Sequence, residues 1–374
     1  MIFYTVFTVA IVAAYAYLIL FNLQHWTSSK QALIQTNIEK SPFFSILIPV
    51  RNEAENITKC LDSILVNKDV DFINFEIIVI NDNSTDQTPS ILKSFISKGI
   101  KVLSLNKGVA KSHKKAALNL GLSKANGNYI IQLDGDVIVP QNYLSTIEQY
   151  VKKFSPDFLA APIKISNSQT LLGNFQILDC AGMMMVTQAG IKSKQWYMAN
   201  GANMVYKKSD YAYDESGKAS GDDINNIQSV ASNPESRIAF LKDINATVQT
   251  NAEKKWSALY HQRIRWGTKN RGMKNPKMII MMLIPFINAL LILAHPILAI
   301  LFFGKVAWVL LAIHLFIKST VDYIYLKEAT AFFKNEASMR FFINSAVLHV
   351  VYISLIGLGS LFFKKYKWKG RIVE

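Results

Sequence analysis

The sequence predicts an α/β fold: a doubly wound, mostly parallel sheet with flanking helices, set between N-terminal and C-terminal transmembrane helices. Three observations predict it. Residues 2–22, "IFYTVFTVAIVAAYAYLILFN", carry no charge, and about 20 apolar residues of helix cross a bilayer core. Three more apolar segments come after residue 277, at 278–303, about 305–325 and 341–363. Between these ends, short apolar runs alternate with segments of helical periodicity, the rhythm of parallel strands joined by helices.

Residues 1–25 read as a retained anchor. A cleaved leader needs a basic start, and here the first basic residue is Lys30. A polar linker, "SSKQALIQTNIEKSP", leads to the body at residues 43–270. Basic residues crowd 254–277, so the positive-inside rule sets residues 30–277 in the cytoplasm, at the inner membrane if the cell is bacterial. The region 278–363 holds two or three spans. Three would send the tail 364–374, with Lys364, Lys365, Lys367, Lys369 and Arg371, outside against the same rule. The segment near 305–325, which carries Lys318 and Asp322, is the one expected to be interfacial or re-entrant.

Within the body, "FFSILIPV" (43–50) is a buried strand and "NEAENITKCLDSIL" (52–65) a helix with Asn52 as its cap. "FEIIVIN" (75–81) is a second strand, succeeded by the turn "DNSTDQT" and a helix over 88–97. "KVLSL" is a third strand, "KSHKKAALNLGLSKA" a helix ended by Gly127, and "NYIIQLDGD" a fourth strand. "NFQILDCAGMMMVTQAG" (174–190) reads as a core helix whose methionines fill gaps, with a lining for a lipid path as the alternative.

The net charge of +15 reflects Lys and Arg facing anionic headgroups, each worth about 1 kcal/mol near the surface. No zinc spacing, basic zipper or RNA-binding signature accompanies it, so nucleic acid is not an expected partner. Cys60 and Cys180 provide neither a disulfide framework nor a metal set, and read as small apolar side chains in a reducing compartment.

In a doubly wound sheet, ligands bind beyond the carboxyl ends of the strands. That rule selects Pro49, Arg51, Asn52 and Glu53 after the first strand, Asp82, Asn83, Ser84 and Asp86 after the second, and Asp134 and Asp136 after the fourth. Alternation puts Asp134 and Asp136 on one side of an extended backbone, where hard carboxylate oxygens suit Mg2+ or Mn2+. No glycine-rich phosphate cradle is present, so a nucleotide would be held through the metal. Lys114 or Lys115 can face a diphosphate or simply water. Asp222 and Asp223 stand at a helix start, where one can cap the helix and the other act as a general base.

The order "IPVRNEAENI", "VINDNSTDQT", "LDGD", "NGANMVY", "SGDD" and "QRIRW" resembles the family 2 glycosyltransferases, which have the GT-A fold. The resemblance covers about residues 43–270 and extends to the membrane-integrated branch, with a plan similar to ceramide glucosyltransferase and bacterial lipid-glycosylating relatives. It implies an inverting transferase that takes a sugar from a nucleoside-diphosphate donor, most often a uridine one, with a divalent metal, and passes it to a lipid or lipid-linked acceptor. It implies further that Pro49, Arg51, Glu53, Asp82 and Asp134 contact the donor nucleotide and that Asp134 and Asp136 hold the metal. Asp223 matches the catalytic base, beside Asp222, and Asn200, Gly201 and Asn203 lie near donor sugar and acceptor. Asn81 stands where many relatives have an Asp. In the Gln-x-x-Arg-Trp motif, Arg265 is expected to grip phosphate, Gln262 to bond hydroxyls and Trp266 to stack on a sugar. The alternatives are a processive polysaccharide synthase of the same family and a non-catalytic membrane scaffold or sugar-nucleotide sensor.

Overall fold

The computed structural model describes residues 1–29, 42–69, 74–106, 113–211, 221–269 and 275–362, together with 366–368 and 371–373. In chain order α1 (Ile2–Thr27) precedes β1 (Phe43–Val50), α2 (Ile57–Leu65), β2 (Asn74–Asn81), α3 (Thr88–Ile96), β3 (Lys101–Ser104), α4 (His113–Lys124) and β4 (Tyr129–Leu133). Next come α5 (Tyr143–Phe154), β5 (Phe158–Ala160), β6 (Ile163–Ile165), α6 (Leu171–Ser193), β7 (Asn203–Lys207), α7 (Asp222–Ala231), β8 (Ile238–Phe240) and β9 (Val248–Thr250). Helices α8 (Trp256–Lys269), α9 (Pro276–Leu298), α10 (Lys305–Phe333) and α11 (Phe342–Phe362) are next, then the short strands β10 (Tyr366–Trp368) and β11 (Arg371–Val373). These elements fall into two compact units. A sheet unit comprises Lys30–Ser166, Tyr197–Asn251 and Lys367–Glu374; a helical unit comprises Met1–Ser29, Asn167–Trp196 and Ala252–Tyr366.

The sheet unit is built on seven strands in the order β3-β2-β1-β4-β7-β5-β8. Strands β1 to β4 are mutually parallel, and β7 runs antiparallel between β4 and β5. Because Ile46, Leu47, Ile48, Ile78, Val79, Ile80, Ile130 and Ile131 are all fully buried, the sheet is covered on both faces. That is why its strands read as continuous apolar runs rather than alternations. Helix α4 packs on β1 and β2. Gly127, just before β4, permits the closest approach: a Cβ there would lie 2.6 Å from the Ser45 backbone nitrogen. Strand register determines which loops meet. Val50 lies opposite Asn81, and Leu133 opposite Asn203, so the chain leaving β1, β2 and β4 and the chain entering β7 share one sheet edge.

Two capping expectations are corrected. Helix α2 begins at Ile57 with Asn56 at its N-cap, whereas Asn52 takes a left-handed conformation (φ 52°) in the preceding loop and accepts from the Thr85 backbone. At α7 the N-cap is Gly221, with φ 101°, so neither Asp222 nor Asp223 is the cap. The expected linker over 28–42 lies largely outside the described residues, and of the tail 364–374 residues 366–368 and 371–373 are described.

In the helical unit, α1, α9 and α10 pack on one another, and α6 packs on α1 and α10. Four helical segments are long and apolar enough to cross a membrane: Ile2–Thr27, Pro276–Phe303, Lys305–Phe333 and Glu336–Ser360. Polar side chains tie the bundle, the usual glue between apolar helices. Tyr4 of α1 bonds His295 of α9, whose ring lies 3.1 Å from that of His314 on α10, and Asn288 reaches His314 at 2.9 Å. Lys318 pairs with Asp322 one turn on, and the Tyr15 hydroxyl donates to the same carboxylate at 2.7 Å. The charges of this pair are therefore neutralised among helices.

Candidate active site

At the shared edge, the first two strand loops are bound into one body. Arg51 donates from Nη1 to the Asp82 and Asn83 carbonyls, both at 2.7 Å. Asn52 N–H donates to Ser84 Oγ at 3.0 Å, and Glu53 N–H to Thr88 Oγ1 at 2.9 Å. Asp86 accepts from the Ala54 and Thr88 backbones. Desolvation alone would raise its pKa, but the Thr88 and Ala54 hydrogen bonds outweigh it and hold the carboxyl below its usual range. Asp82 and Glu53 are buried, and the Glu53 carboxylate accepts from Asn56 Nδ2 at 3.1 Å. Pro49 lies in β1, opposite Ile80.

The Asp-Gly-Asp turn after β4 sits against this body. A Cβ on Gly135 would stand 2.7 Å from Val50 Cγ1 and 3.3 Å from Glu53 Cγ, so glycine is what lets the two acidic residues come down on the β1 loop. Beneath the turn, the Cys60 thiol is pushed well up, first by burial and then by the charges of Asp136, Glu53 and Asp134. Three carboxylates thus act on one buried point. Asp134 pairs with Lys114 at 2.7 Å, and Asp136 accepts from Thr250 Oγ1 at 3.1 Å. Among the described residues no three His, Cys, Asp or Glu side chains form a metal-holding group. Two carboxylates at the end of a strand still fit Mg2+ or Mn2+, which keep several waters and are commonly bound by one or two carboxylates plus substrate phosphates.

Asp223, buried in the first turn of α7, accepts from Gly201 N–H at 3.3 Å and from Ile224 N–H at 2.9 Å. Gly201 in turn accepts from Gln132 of β4 at 3.2 Å, which ties the base candidate to the strand that ends in Asp134. Asn200 supports the same turn, its side chain accepting from Ala202 N–H. Asn203 is used differently. It is fully buried, accepts from the Tyr143 hydroxyl at 2.7 Å and donates to the Pro162 and Ala246 carbonyls at 2.7 and 2.9 Å. The Asp222 side chain and residues 212–220 lie outside the described residues.

The Gln-x-x-Arg-Trp motif stands on α8 in the helical unit, where Gln262, Arg265 and Trp266 are all half-buried. Gln262 Nε2 donates to Glu253 Oε1 at 2.9 Å, and Glu253 is clasped through its backbone by the Gln176 amide of α6. One turn along α6, Asp179 lies 2.8 Å from Arg263, whose guanidinium covers one face of the Trp266 ring at 4.2 Å. Burial works against the Arg263 charge, but Asp179, Tyr352, Cys180 and Glu253 outweigh it and hold the guanidinium above its usual value. Burial pushes the Cys180 thiol up to about 12. Gln176, Asp179, Glu253 and Arg263, with Thr250 beside the acidic turn, are residues that sequence reasoning missed. Only the spacing of Gln176 and Asp179, three apart on one helix face, hints at a shared partner.

A sheet edge that gathers the loops after β1, β2 and β4 is where a doubly wound sheet binds its ligand. Residues 45–211 match the family model described as glycosyl transferase family 2. The chain is similar to a Staphylococcus epidermidis protein named poly-beta-1,6-N-acetyl-D-glucosamine synthase, 26% identical over 42% of this chain and 37% of that one. It is also similar to a Methanococcus voltae protein named dolichyl N-acetyl-alpha-D-glucosaminyl phosphate 3-beta-D-2,3-diacetamido-2,3-dideoxy-beta-D-glucuronosyltransferase, 34% identical over 30% of this chain and 36% of that one. The chain spans well under half the length of the curated relatives it matches. Among solved structures, the mannosyltransferase PcManGT from Pyrobaculum calidifontis, in complex with GDP-Man and Mn2+, shares the fold. Its TM-score is 0.57 at 18% identity, over 92% of this chain and 97% of that one.

Proposed function

We propose that the protein is an inverting glycosyltransferase that moves one sugar from a nucleoside-diphosphate donor, a uridine one by preference, to a lipid or lipid-linked acceptor at the membrane surface. The observation that carries this reading is the Asp134–Gly135–Asp136 turn seated on the β1 loop beside Glu53, at the sheet edge where Asp223 is tied in through Gly201. The four apolar helices, and the lipid-linked substrate in the name of the Methanococcus relative, support the acceptor class.

In this reading the donor's nucleoside meets the buried loop of Arg51, Glu53 and Asp82. Asp134 and Asp136 would hold Mg2+ or Mn2+, which supplies charge neutralisation to a departing diphosphate. The acceptor hydroxyl attacks the anomeric carbon as the bond to the diphosphate oxygen breaks on the opposite face. Its proton passes to the Asp223 carboxylate, which Gly201 and Ile224 N–H groups orient. A positioned base of this kind contributes roughly 10²–10⁴-fold. Gln262, Arg265 and Trp266 are the further candidates, for hydroxyl, phosphate and sugar contacts in that order. The catalytic body is proposed to face the cytoplasm, where nucleotide sugars are made.

The test is mass spectrometry of membrane lipids from cells with the gene, without it, and with Asp223→Asn. A glycolipid present only with the intact gene, one sugar heavier than its precursor, is expected. Its persistence with Asp223→Asn removes the base. A ladder of products instead supports the processive reading that the Staphylococcus relative favours. Chelation of divalent metal should abolish transfer in isolated membranes, and Mn2+ should restore it.

A further inference from the structure

Burial normally obliges a side-chain amide to bond, because an unbonded group keeps its full desolvation cost. Among the described residues, two buried amides have neither oxygen nor nitrogen bonded, Asn22 on α1 and Asn226 on α7. Asn22 belongs to the helical unit, whereas Asn226 belongs to the sheet unit and stands three residues after Asp223 in the same helix. Asn226 is 1% exposed and shares the inward face of α7 with Asp223, Ile227 and Val230, while Asn225 is exposed. Ile227 and Val230 are what such a face ordinarily carries. A leucine at 226 fills the same space with no amide to desolvate, so the amide stands there at a cost to the fold.

Helix geometry says what this amide can meet. Residues three apart have Cβ atoms about 5–6 Å from each other. Helical side chains lean toward the N-terminus, so Asn226 leans over the turn that carries the Asp223 carboxylate. That carboxylate accepts from the Gly201 and Ile224 N–H groups. Such donors suit its ionised form alone. Once Asp223 has taken a proton it carries an O–H that must itself donate, and an N–H cannot receive it. A side-chain amide serves both forms: Nδ2 donates to the carboxylate before transfer, and Oδ1 accepts from the carboxylic acid after it.

We infer that Asn226 is a positioning residue for the base, holding the Asp223 carboxyl group in its working orientation and accepting its O–H once it is protonated. This rests on the reading of Asp223 as general base. In the step, the acceptor oxygen bonds to the anomeric carbon as the bond from that carbon to the diphosphate oxygen breaks. The acceptor's proton goes to Asp223, and the bonding electron pair leaves with the diphosphate. Asn226 exchanges hydrogen bonds only. Because it acts through Asp223 and touches no substrate, its influence falls on turnover and not on donor binding.

The test compares Asn226→Leu, Asn226→Ser and Asp223→Asn in the detergent-purified full chain. Donors are UDP-glucose, UDP-N-acetylglucosamine and GDP-mannose, the acceptor is a lipid extract of the host membranes, and the nucleoside diphosphate released is measured with the donor that the wild type turns over fastest. Asn226→Leu should be at least as resistant to urea as the wild type, because it removes an unbonded amide, yet lose roughly 10- to 100-fold in kcat at unchanged donor KM. Asn226→Ser leaves a gap but keeps a hydroxyl that donates and accepts, so it should be the less stable variant and the faster one. Rates that follow stability across the two variants make Asn226 a packing residue and overturn the inference. So does wild-type kcat in Asn226→Leu while Asp223→Asn is inactive, which leaves the base in place. Full activity in Asp223→Asn removes the base itself and the inference with it.

Discussion

The pairing of Asp179 with Arg263 makes a sharp prediction about how the motif helix is held. Both side chains are nearly inaccessible, 9% and 6% exposed, and their charged atoms lie 2.8 Å apart. Removing one partner of such a pair leaves a buried charge uncompensated and costs about 3–5 kcal/mol. Asp179→Leu strands the guanidinium above Trp266. Arg263→Met strands the carboxylate and also removes the stacked cation, which adds about 0.5–2 kcal/mol. Replacing both together removes the desolvation cost along with the attraction, and such swaps are close to neutral. Each single variant should therefore melt roughly 4–6 °C below the wild type, while the double variant should recover most of the loss. The assay is thermal unfolding of the detergent-purified full chain at one scan rate and without ligand, since bound ligand and irreversibility both move the midpoint. Losses that simply add in the double variant would refute coupling between α6 and α8 through this pair.

Three further outcomes rest on single contacts. Gly135→Ala brings a methyl within 2.7 Å of the buried Val50 side chain, and overpacking of this kind costs about 1–3 kcal/mol. Because the shift falls between Asp134 and Asp136, donor binding measured by calorimetry should weaken more than denaturant stability does. Asn203→Ala deprives Tyr143, Pro162 and Ala246 of their partner, so it should lower stability by about 1–3 kcal/mol per group left unsatisfied. Altered activity at unchanged denaturant stability would instead make Asn203 a substrate contact. Asp86 and Asp157 both have depressed pKa values. For each, burial works upward but is outweighed, by the Thr88 and Ala54 bonds at Asp86 and by Lys207 and the Arg237 backbone at Asp157. Their contribution is complete above the unfolded value of about 3.9 and is lost as pH falls through the lower folded values. Urea midpoints should drop steeply only below about pH 4, and Asp157→Asn should flatten that limb.

Much of the sheet unit was legible because its determinants are local. Runs such as "FFSILIPV" and "YIIQL" are buried on both faces, so hydrophobicity alone marks them, and parallel order comes from the intervening helices. The acidic turn was legible because strand ends in such a sheet are where ligands bind. What local reading could not supply is which polar side chains are already committed. Asn203 belongs to the same short motif as Gly201, yet one is fully bonded inside the core and the other presents its N–H to Asp223. The two cap assignments failed for a related reason. Asn52 and the Asp222–Asp223 pair have the right chemistry for caps, but backbone geometry gave those positions to Asn56 and Gly221.

The helical unit shows a different limit. Its partners come from three separate stretches of chain, so Asp179 and Arg263, or Gln176 and Glu253, meet with nothing in the intervening sequence to announce them. Hydropathy has the same blindness. It measures how strongly a segment avoids water, and α10 and α11 both avoid it. Where in the bilayer each settles depends on its neighbours. The charges of Lys318 and Asp322 on α10 are answered by each other and by α1, and α11 packs on α9 as well as on α6 and α8. A charge inside an apolar segment therefore argues against crossing only until its partner is known.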